Sequence, residues 1–314
     1  MRPQSYSTVR NTKTVESRTS TAGPRFGAHM SVAGGLPRAV ERAVVHGCGA
    51  LQVFTKNANQ WRGRPLPADE IRAFRQAVDQ SGITPVVSHA SYLINLASTD
   101  SQLRQQSLAA MTDEIDRAES LGLLGVVLHP GCYTSGEAAA GLALVGDALR
   151  ALLSDHRRGR TMVLLEQTAG QGTALGWRFE ELAAILEHVD GHPRVGICLD
   201  TCHLLAAGYD LATEAGYART IDEFARTIGF DRLKVVHIND SKKPLGSRID
   251  RHEHIGKGHV GIEAFRRLVN DQHFRNLPMV LETPKAEGHA TGPIRPDPLD
   301  MANLTLLRGL VTPR

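Results

Sequence analysis

The chain lacks any apolar run near the roughly 18 residues that a membrane-spanning helix needs, and its first residues contain no apolar block typical of secretory signals. It also lacks a strong excess of one charge, since 36 Lys and Arg stand against 33 Asp and Glu in 314 residues. This balance excludes a highly charged disordered chain. Cysteine is scarce, with 4 residues and no CxxC pair, which favours reduced thiols in the cytoplasm over a disulfide scaffold.

Residues 1–25 are rich in Ser, Thr and Arg, contain a single acidic residue and have almost nothing large and apolar to bury. We expect a flexible N-terminal tail there. Organellar transit peptides have a similar composition, so import remains a second interpretation, although these residues show no helical apolar stripe. Residues 26–314 are expected to form one domain and the protein to be a monomer.

Short apolar runs alternate with segments of helical spacing after residue 26. The runs are FGAHM at 26, ALQVFT at 50, TPVVSHA at 84, GVVLHPG at 125, TMVLLEQT at 161, RVGICLDT at 194, LKVVHIND at 233 and PMVLETP at 278. Apolar residues three and four apart predict helices between them, for example over 67–81, 101–121 and 261–271, with a last helix over 298–309. Buried strands separated by helices indicate a parallel sheet, and eight such units match a (β/α)8 TIM barrel.

An open, doubly wound α/β sheet is the competing architecture. Such a sheet usually carries a glycine-rich phosphate turn after its first strand. Here the first run continues as HMSVAGG, over residues 29–35, which is not GxGxxG. The later GKGHVG, over 256–261, follows no apolar run and is expected to be a turn leading into a helix.

Side chains that bind metals stand where six successive apolar runs end, and a barrel places these ends at one mouth. Asp250 and His252, two residues apart in the loop after the seventh run, point the same way if extended. The candidate ligands are His89, His129, Glu166, Asp200, His203, His237, Asp250, His252 and Glu282. Their burial without an ion would be costly. The histidine majority favours zinc, and the set suffices for two or three ions, with Glu166 central enough to bridge.

At these residues the sequence resembles the endonuclease IV family of apurinic/apyrimidinic (AP) endonucleases. The resemblance runs from Phe26 to the C-terminal helix. It is carried by SYLINLAS (91–98), LHPG (128–131), LEQTAGQG (165–172), CLDTCHLLAAGYD (198–210), VHINDSK (236–242), RIDRHEHIGKG (248–258) and LETP (281–284). Of these, LDTCH, HINDSK and DRHEHIG are too long and particular for chance similarity.

The resemblance implies three Zn²⁺ ions per chain. His89 and His129 would hold the first, and Glu166 would bridge it to a second. The second would also take Asp200, His237 and Glu282, and the third would take His203, Asp250 and His252. It further implies cleavage of duplex DNA on the 5′ side of an abasic site, with a 3′-hydroxyl and a 5′-deoxyribose phosphate as products. We expect Glu166 to orient the nucleophile.

The residues expected to contact DNA lie in loops at the same mouth. FTKNANQW (54–61) resembles the family's DNA-probing loop and supplies Lys56, Asn59 and Trp61, with Asn59 where some members have arginine. Tyr92 and Leu93 follow His89 closely and could enter the base stack that an abasic nucleotide has left. Lys242 is a candidate phosphate contact. Ala90 replaces an acidic residue common in the family, so support for His89 must come from elsewhere.

A sugar isomerase or epimerase on a similar barrel, using one or two divalent ions, is the alternative function. Such a site typically uses a few carboxylates and one histidine, which would leave His203, Asp250 and His252 without a role. A non-catalytic DNA- or metal-binding barrel is a third possibility. A complete ligand set with open positions favours catalysis over that interpretation.

Overall fold

A computed structural model of the chain describes residues 23–288 and 293–313. Its centre is a closed barrel of parallel strands in the order β1, β10, β7, β6, β5, β4, β3, β2. These strands are β1 (Arg25–His29), β2 (Ala50–Val53), β3 (Val86–His89), β4 (Gly125–Leu128), β5 (Met162–Glu166), β6 (Val195–Asp200), β7 (Leu233–His237) and β10 (Pro278–Leu281). The predicted TIM barrel is confirmed. Each predicted apolar run contains one of its strands, except that β1 begins one residue before the first run.

Helices cover the outside of the barrel. They are α1 (Leu36–Val45), α2 (Ala68–Ser81), α3 (Ser101–Leu121), α4 (Ala138–Asp155), α5 (Phe179–His188), α6 (Thr201–Ala207), α7 (Glu214–Thr227), α8 (Ile262–Asn270) and α9 (Pro298–Leu310). The four helices predicted by number are found within one residue at each end. Among the described helices, none is both long and apolar enough to cross a membrane.

Local sequence explains where the long helices begin. The carboxylate of Asp100 accepts hydrogen bonds from the backbone N–H groups of Gln102 and Leu103, which caps the start of α3. Asp297 caps α9 in the same way, and Pro298 occupies the first turn, where its missing N–H costs nothing. A small antiparallel hairpin, β8 (Asp240–Ser241) and β9 (His252–Glu253), extends from the mouth of the barrel.

The predicted tail falls almost entirely outside the described residues, since the description begins at Gly23. Arg25, the last residue assigned to the tail, is already the first residue of β1. The division of the chain into a tail and one barrel domain therefore stays a prediction for residues 1–22.

Two apolar cores fill the protein. The larger lies between the strands and the surrounding helices. The smaller lies inside the barrel and consists of Val87, Val127, Leu164, Cys198, Val235 and Val280. Each of these comes from a different strand and is essentially inaccessible to solvent. The inner core closes the barrel below its carboxyl-terminal mouth, so the mouth has a dry, apolar floor.

Close approach of β1 and β2 makes Gly27 a sensitive position. A Cβ at Gly27 would lie 2.0 Å from the backbone carbonyl oxygen of Ala50. Since backbone cannot rotate away as a side chain can, Gly27→Ala should force the strands apart and lower the free energy of unfolding by about 1–3 kcal/mol. Urea denaturation measures this change.

The matched control is Gly309→Ala in α9, where an added Cβ meets no atom within 4 Å. Alanine favours a helix over glycine by up to about 1 kcal/mol, so this variant should be neutral or more stable. Equal midpoints for the two variants would show that the strand contact does not limit residue size at Gly27.

Candidate metal centre

A layer of polar side chains lies directly above the inner apolar core. Six residues of that core are each followed two positions later by a predicted ligand, and the side chains of a strand return to the same face every two residues. The pairs are Val87 with His89, Val127 with His129, Leu164 with Glu166, Cys198 with Asp200, Val235 with His237 and Val280 with Glu282. The alternation of the strands therefore turns the ends of six strands into one cluster.

An irregularity between β6 and β7 brings two of these side chains level. The pairing begins with Ile197 opposite Leu233 but continues with Cys198 opposite Val235, so one residue of β7 is passed over. After this bulge, Asp200 pairs with His237. If Lys234 were instead paired in regular register, the inward and outward positions of β7 after it would be exchanged, and His237 would face the helices.

Glu166 occupies the centre of the cluster and is fully buried. Its Oε2 atom lies 3.1 Å from Nε2 of His89 and 3.2 Å from Nε2 of His129. Its Oε1 atom lies 3.0 Å from Nδ1 of His237 and 3.3 Å from Nδ1 of His203. The two oxygens of one carboxylate thus face different groups of histidines, which is the arrangement that a bridging ligand requires.

A second group of contacts surrounds the hairpin. Nε2 of His203 and Nε2 of His252 each lie 3.2 Å from a different oxygen of Asp250. His252 Nε2 is also 3.6 Å from Oδ2 of Asp200. Both nitrogens are buried, and neither has a hydrogen-bond partner of acceptable geometry. Buried ring nitrogens that converge on carboxylates without hydrogen bonding to them fit a site for a cation between these groups.

The second ring nitrogen of several of these histidines is held by the protein. Nδ1 of His89 donates to the carbonyl of Ala90 at 2.8 Å, and Nδ1 of His203 is 2.9 Å from the carbonyl of Gln167. Such partners fix the tautomer and point the remaining nitrogen into the site. The family's acidic side chain is missing at position 90, and the backbone carbonyl of Ala90 supports His89 in its place.

Two buried amides that sequence analysis missed complete this support. Gln52 on β2 accepts from Nε2 of His237 at 2.8 Å, and its amide nitrogen donates to Glu282 and to Nδ1 of His29. Asn239 donates to Oδ2 of Asp200 at 2.7 Å and accepts from the backbone N–H of Glu282. A lone Gln within the apolar run ALQVF was the one sequence signal that marks Gln52.

The histidines and carboxylates of the cluster shift one another's pKa values. Burial by itself lowers the pKa of a histidine and raises that of a carboxylate. Here opposite charges outweigh burial: Asp200 and Asp250 raise the pKa of His252 to about 9, and the same residues with Glu166 raise that of His203 well above its usual value. The histidines in turn hold the pKa of Glu166 well below its usual range.

These donor sets fit divalent metal ions. Ligand atoms lie within 4.8 Å of one another in three overlapping groups: His89, His129 and Glu166; Glu166, Asp200, His237 and Glu282; and Asp200, His203 and His252. All nine predicted ligands thus lie in one connected cluster, with Asp250 bound to the third group through its two histidines. Mixed imidazole and carboxylate ligands suit zinc and its first-row neighbours.

Cys198 and Cys202 lie closer to this cluster than the sequence indicated. Cys198 Sγ is within 4.8 Å of ligand atoms of Glu166 and His237, and Cys202 Sγ is equally near Asp250 and His252. Burial raises the pKa of each thiol to about 12. Without a bound metal ion both thiols are therefore protonated, and they pack beside the ligands as small buried side chains.

The site opens to one side. A cavity of about 290 Å³ adjoins His129, His203 and Asp250 and is otherwise lined by the loop over 168–174 and by Gly131 and Cys132. The side chains of His129 and Asp250 are 36% and 39% exposed, whereas that of Glu166 is inaccessible. A substrate could therefore reach the cluster through this cavity.

The loop residues expected to contact DNA differ in their placement. Tyr92 is 64% exposed and packs edge-on to Phe54 with ring centroids 5.5 Å apart, while Leu93 is half-buried beside it. Asn59 is exposed at the tip of the 54–61 loop. Lys242 is exposed on the hairpin that carries Asp250 and His252, where its backbone N–H donates to Arg251.

Lys56 and Trp61 are less accessible. The side chain of Lys56 is only 2% exposed, and its amino group forms ion pairs with Glu114 at 2.9 Å and Asp113 at 3.2 Å. A contact of Lys56 with DNA does not fit this placement, because the charge is already neutralised inside the protein. Trp61 is half-buried and packs against the main core.

Comparisons with known proteins agree with this geometry. A family model described as a xylose isomerase-like TIM barrel matches residues 40–302. A relative from Chloroflexus aurantiacus named probable endonuclease 4 is 50% identical over 288 residues, which are 92% of this chain and 98% of that protein. A relative of the same name from Citrifermentans bemidjiense is 45% identical and covers 91% of this chain and 98% of its own length.

Solved structures add a second comparison. The crystal structure of endonuclease IV from Thermus thermophilus matches with a TM-score of 0.77 and 38% identity over 91% of this chain and 98% of that one. A D-tagatose 3-epimerase-like protein matches with a TM-score of 0.66 but only 19% identity over 91% of this chain and 96% of that one, which shows the fold alone. Since half of the aligned residues are shared with relatives across nearly their whole length, the chain belongs to the endonuclease IV family.

Proposed function

We propose that this protein is a zinc-dependent AP endonuclease of base excision repair. Membership in the endonuclease IV family makes it a DNA-cleaving hydrolase. The finer statement concerns the substrate, the metal and the products: hydrolysis of the phosphodiester 5′ to an abasic site in duplex DNA, with three zinc ions, to leave a 3′-hydroxyl and a 5′-deoxyribose phosphate. The observation that carries it is the convergence of four carboxylates and five histidines around Glu166.

Hydrolysis of a phosphodiester needs a nucleophile in line with the leaving group and stabilisation of the charge that develops on both. Zinc, when bound, supplies Lewis-acid stabilisation and acidifies water near neutral pH. His89 and His129 with Glu166, then Glu166 with Asp200, His237 and Glu282, and finally His203, Asp250 and His252 would hold the ions. Glu166, which contacts both the first and the second group, orients the attacking water through its carboxylate.

Recognition of damage follows from the loops at the mouth. An abasic nucleotide has no base to unstack, so its extrusion into a cavity costs less than extrusion of an intact nucleotide. The opening beside His129 and Asp250 leads from the surface to the metal ligands. The ring of Tyr92 lies beside that of His89, with centroids 5.7 Å apart. Tyr92 and Leu93 would fill the gap left in the stack.

A sugar epimerase remains the alternative on fold grounds, because epimerase-like barrels share this architecture at low identity. The contacts of His203, Asp250 and His252 disfavour it. These residues add a third group of ligands to the two around Glu166, with two unpartnered buried nitrogens, which is more than a site with one or two ions uses. Incubation of zinc-loaded protein with a duplex that carries one abasic site separates the two functions, since only the endonuclease nicks the strand.

As the relatives are bacterial, this activity would be exerted in the cytoplasm, on the nucleoid.

The first prediction from this function concerns metal content. Protein purified without chelator should retain about three zinc ions per chain, since a catalytic zinc takes about three protein ligands. Elemental analysis by mass spectrometry measures the ratio. Active protein with one ion or none would remove the three-zinc proposal, and partial loss confined to one ion would identify the third group as the weakest site.

The pH dependence of zinc binding provides a second test of the metal site. The raised pKa of His252, about 9, means that the metal-free ring is protonated at pH 7, so a metal ion must displace its proton. Zinc added to the metal-free protein in weak buffer should therefore release protons, and acidification should strip zinc. Binding that is independent of pH between about 5 and 8 would contradict a site built from histidines.

Glu166→Gln tests the central carboxylate. The substitution keeps the shape but removes the charge that faces four histidines, so the cleavage rate should fall at least about a hundredfold, as for loss of a major catalytic group. Binding of abasic duplex should largely survive. Glu181→Gln is the matched control, because Glu181 is a buried glutamate that bonds Gly176 away from the cluster. Near wild-type cleavage by zinc-loaded Glu166→Gln would reduce Glu166 to a structural ligand.

The double substitution Tyr92→Ala with Leu93→Ala tests recognition of the gap. These side chains can fill only a vacated stack, so their loss should weaken binding to an abasic duplex much more than to an intact one, without loss of zinc. Titrations at fixed salt measure both affinities. In the control, Lys242→Ala with Lys243→Ala removes exposed charges and should weaken both duplexes alike. Equal losses for the Tyr92 and Leu93 variant would assign these residues to packing.

A further inference from the structure

Two loops at the mouth are tied to one buried carboxylate on the outside of the barrel. These are the 54–61 loop, which follows β2, and the 91–98 loop, which follows β3. The carboxylate belongs to Glu114 on α3, whose side chain is only 1% exposed. Burial of an ionised carboxylate costs free energy unless opposite charge and hydrogen bonds compensate it. The partners of Glu114 therefore indicate which part of the structure its burial stabilises.

Both oxygens of Glu114 bind loop residues. Oε1 accepts from the backbone N–H of Ser91 at 3.1 Å and lies 2.9 Å from Nζ of Lys56. Oε2 accepts from the hydroxyl of Thr55 at 2.9 Å. One carboxylate therefore bonds the first residue of the 91–98 loop and two consecutive residues of the 54–61 loop at the same time.

Further contacts close this arrangement. The hydroxyl of Ser91 donates to the carbonyl of Ala58 at 2.6 Å, which joins the two loops directly. One turn along α3, Arg117 donates to the carbonyl of Thr55 at 3.3 Å and to that of Arg64. Most of the side chains in this network are buried, namely Thr55, Ser91, Glu114 and Arg117. Water therefore does not replace their bonds readily, and the two loop bases are held in one relative position.

The anchored residues stand next to the exposed ones. Ser91 immediately precedes Tyr92, and its hydroxyl also accepts from the backbone N–H of Leu93 at 3.3 Å. Ala58 immediately precedes the exposed Asn59. Each loop thus consists of a buried base fixed to Glu114 and, within one or two residues, side chains that face solvent at the mouth.

We propose that Glu114 is a positioning residue for DNA recognition, which sets the 54–61 and 91–98 loops in their binding arrangement before DNA arrives. A loop that is ordered in advance loses less entropy on binding, so the effect appears in affinity. Glu114 touches no metal ligand directly in the described contacts, so it acts on the chemistry only through the loops. This inference rests on the proposed function, since it presumes that the two loops contact the damaged duplex.

Glu114→Gln is the variant that tests this role. It preserves shape but removes the charge opposite Lys56 and replaces one acceptor oxygen with an amide. The Kd for a duplex with one abasic site should rise about tenfold, the scale expected when ordering of loops is left to the binding step. The rate at saturating DNA, the zinc content and the hydrolysis of bis(p-nitrophenyl) phosphate, which is too small to need the loops, should stay at wild-type values.

Glu119→Gln supplies the matched control on the same helix. Glu119 also accepts several hydrogen bonds, from the backbone of Arg160 and from both backbone and hydroxyl of Thr161. These partners precede β5, at the opposite end of the barrel from the metal centre. Glu119→Gln should therefore change thermal stability by a similar amount without changing the Kd. Hydrogen exchange adds a direct readout, since amides in both loops should exchange faster in Glu114→Gln and at the wild-type rate in Glu119→Gln.

Thr55→Val is a milder second variant if Glu114→Gln does not fold. It removes only the hydroxyl bonded to Oε2, so a few-fold rise in Kd with faster exchange in the 54–61 loop is expected. Unchanged Kd and exchange in both variants, or an equal loss of affinity in Glu119→Gln, would overturn the positioning role. A wild-type protein that does not nick the abasic duplex would instead overturn the proposed function.

Discussion

The burial of charge at the mouth of the barrel is the constraint to which the rest of the structure is adapted. Four carboxylates and five histidines lie on an apolar floor that keeps water out from below. In such surroundings an unpaired charge is expensive, whereas opposite charges attract strongly because little solvent screens them. Glu166 satisfies this constraint for much of the layer, since its two oxygens contact four imidazoles. Gln52 and Asn239 then fix the ligands around it.

Under the proposed function, a rigid polar layer of this kind serves the chemistry on a phosphate but offers little for discrimination between damaged and intact DNA. Discrimination falls to the loops, which are not part of the barrel and would be mobile without their own anchors. The buried ion pairs between α3 and the 54–61 loop provide those anchors. Catalysis and recognition thus depend on separate hydrogen-bond networks, one inside the barrel and one between the barrel and α3.

Sequence alone predicted the barrel and the convergence of the nine polar side chains at its mouth for the same reason. Strands of period two end at one mouth, so a polar residue that closes an apolar run, such as His89 or Glu166, points to the site without any knowledge of distance. The role of Gln52 was not predicted from the sequence, because its hydrogen bond to His237 joins residues 185 positions apart. The burial of Lys56 was not predicted either, since lysine is usually exposed. Its partners lie on α3, and the apolar pattern of that helix predicts only that it packs on the outside of the barrel.

The bulge between β6 and β7 has a consequence for how such sites arise and disappear. Passing over one residue near Lys234 decides whether the following side chains of β7 face the barrel axis or the helices. If Lys234 were paired with β6 instead of being passed over, the two faces of the strand end would be exchanged and His237 would leave the cluster with every ligand residue still present in the gene. In this architecture, the direction of a side chain at the mouth depends on how the strand pairs as well as on its sequence, so an alignment that matches every predicted ligand does not by itself show that the cluster is complete.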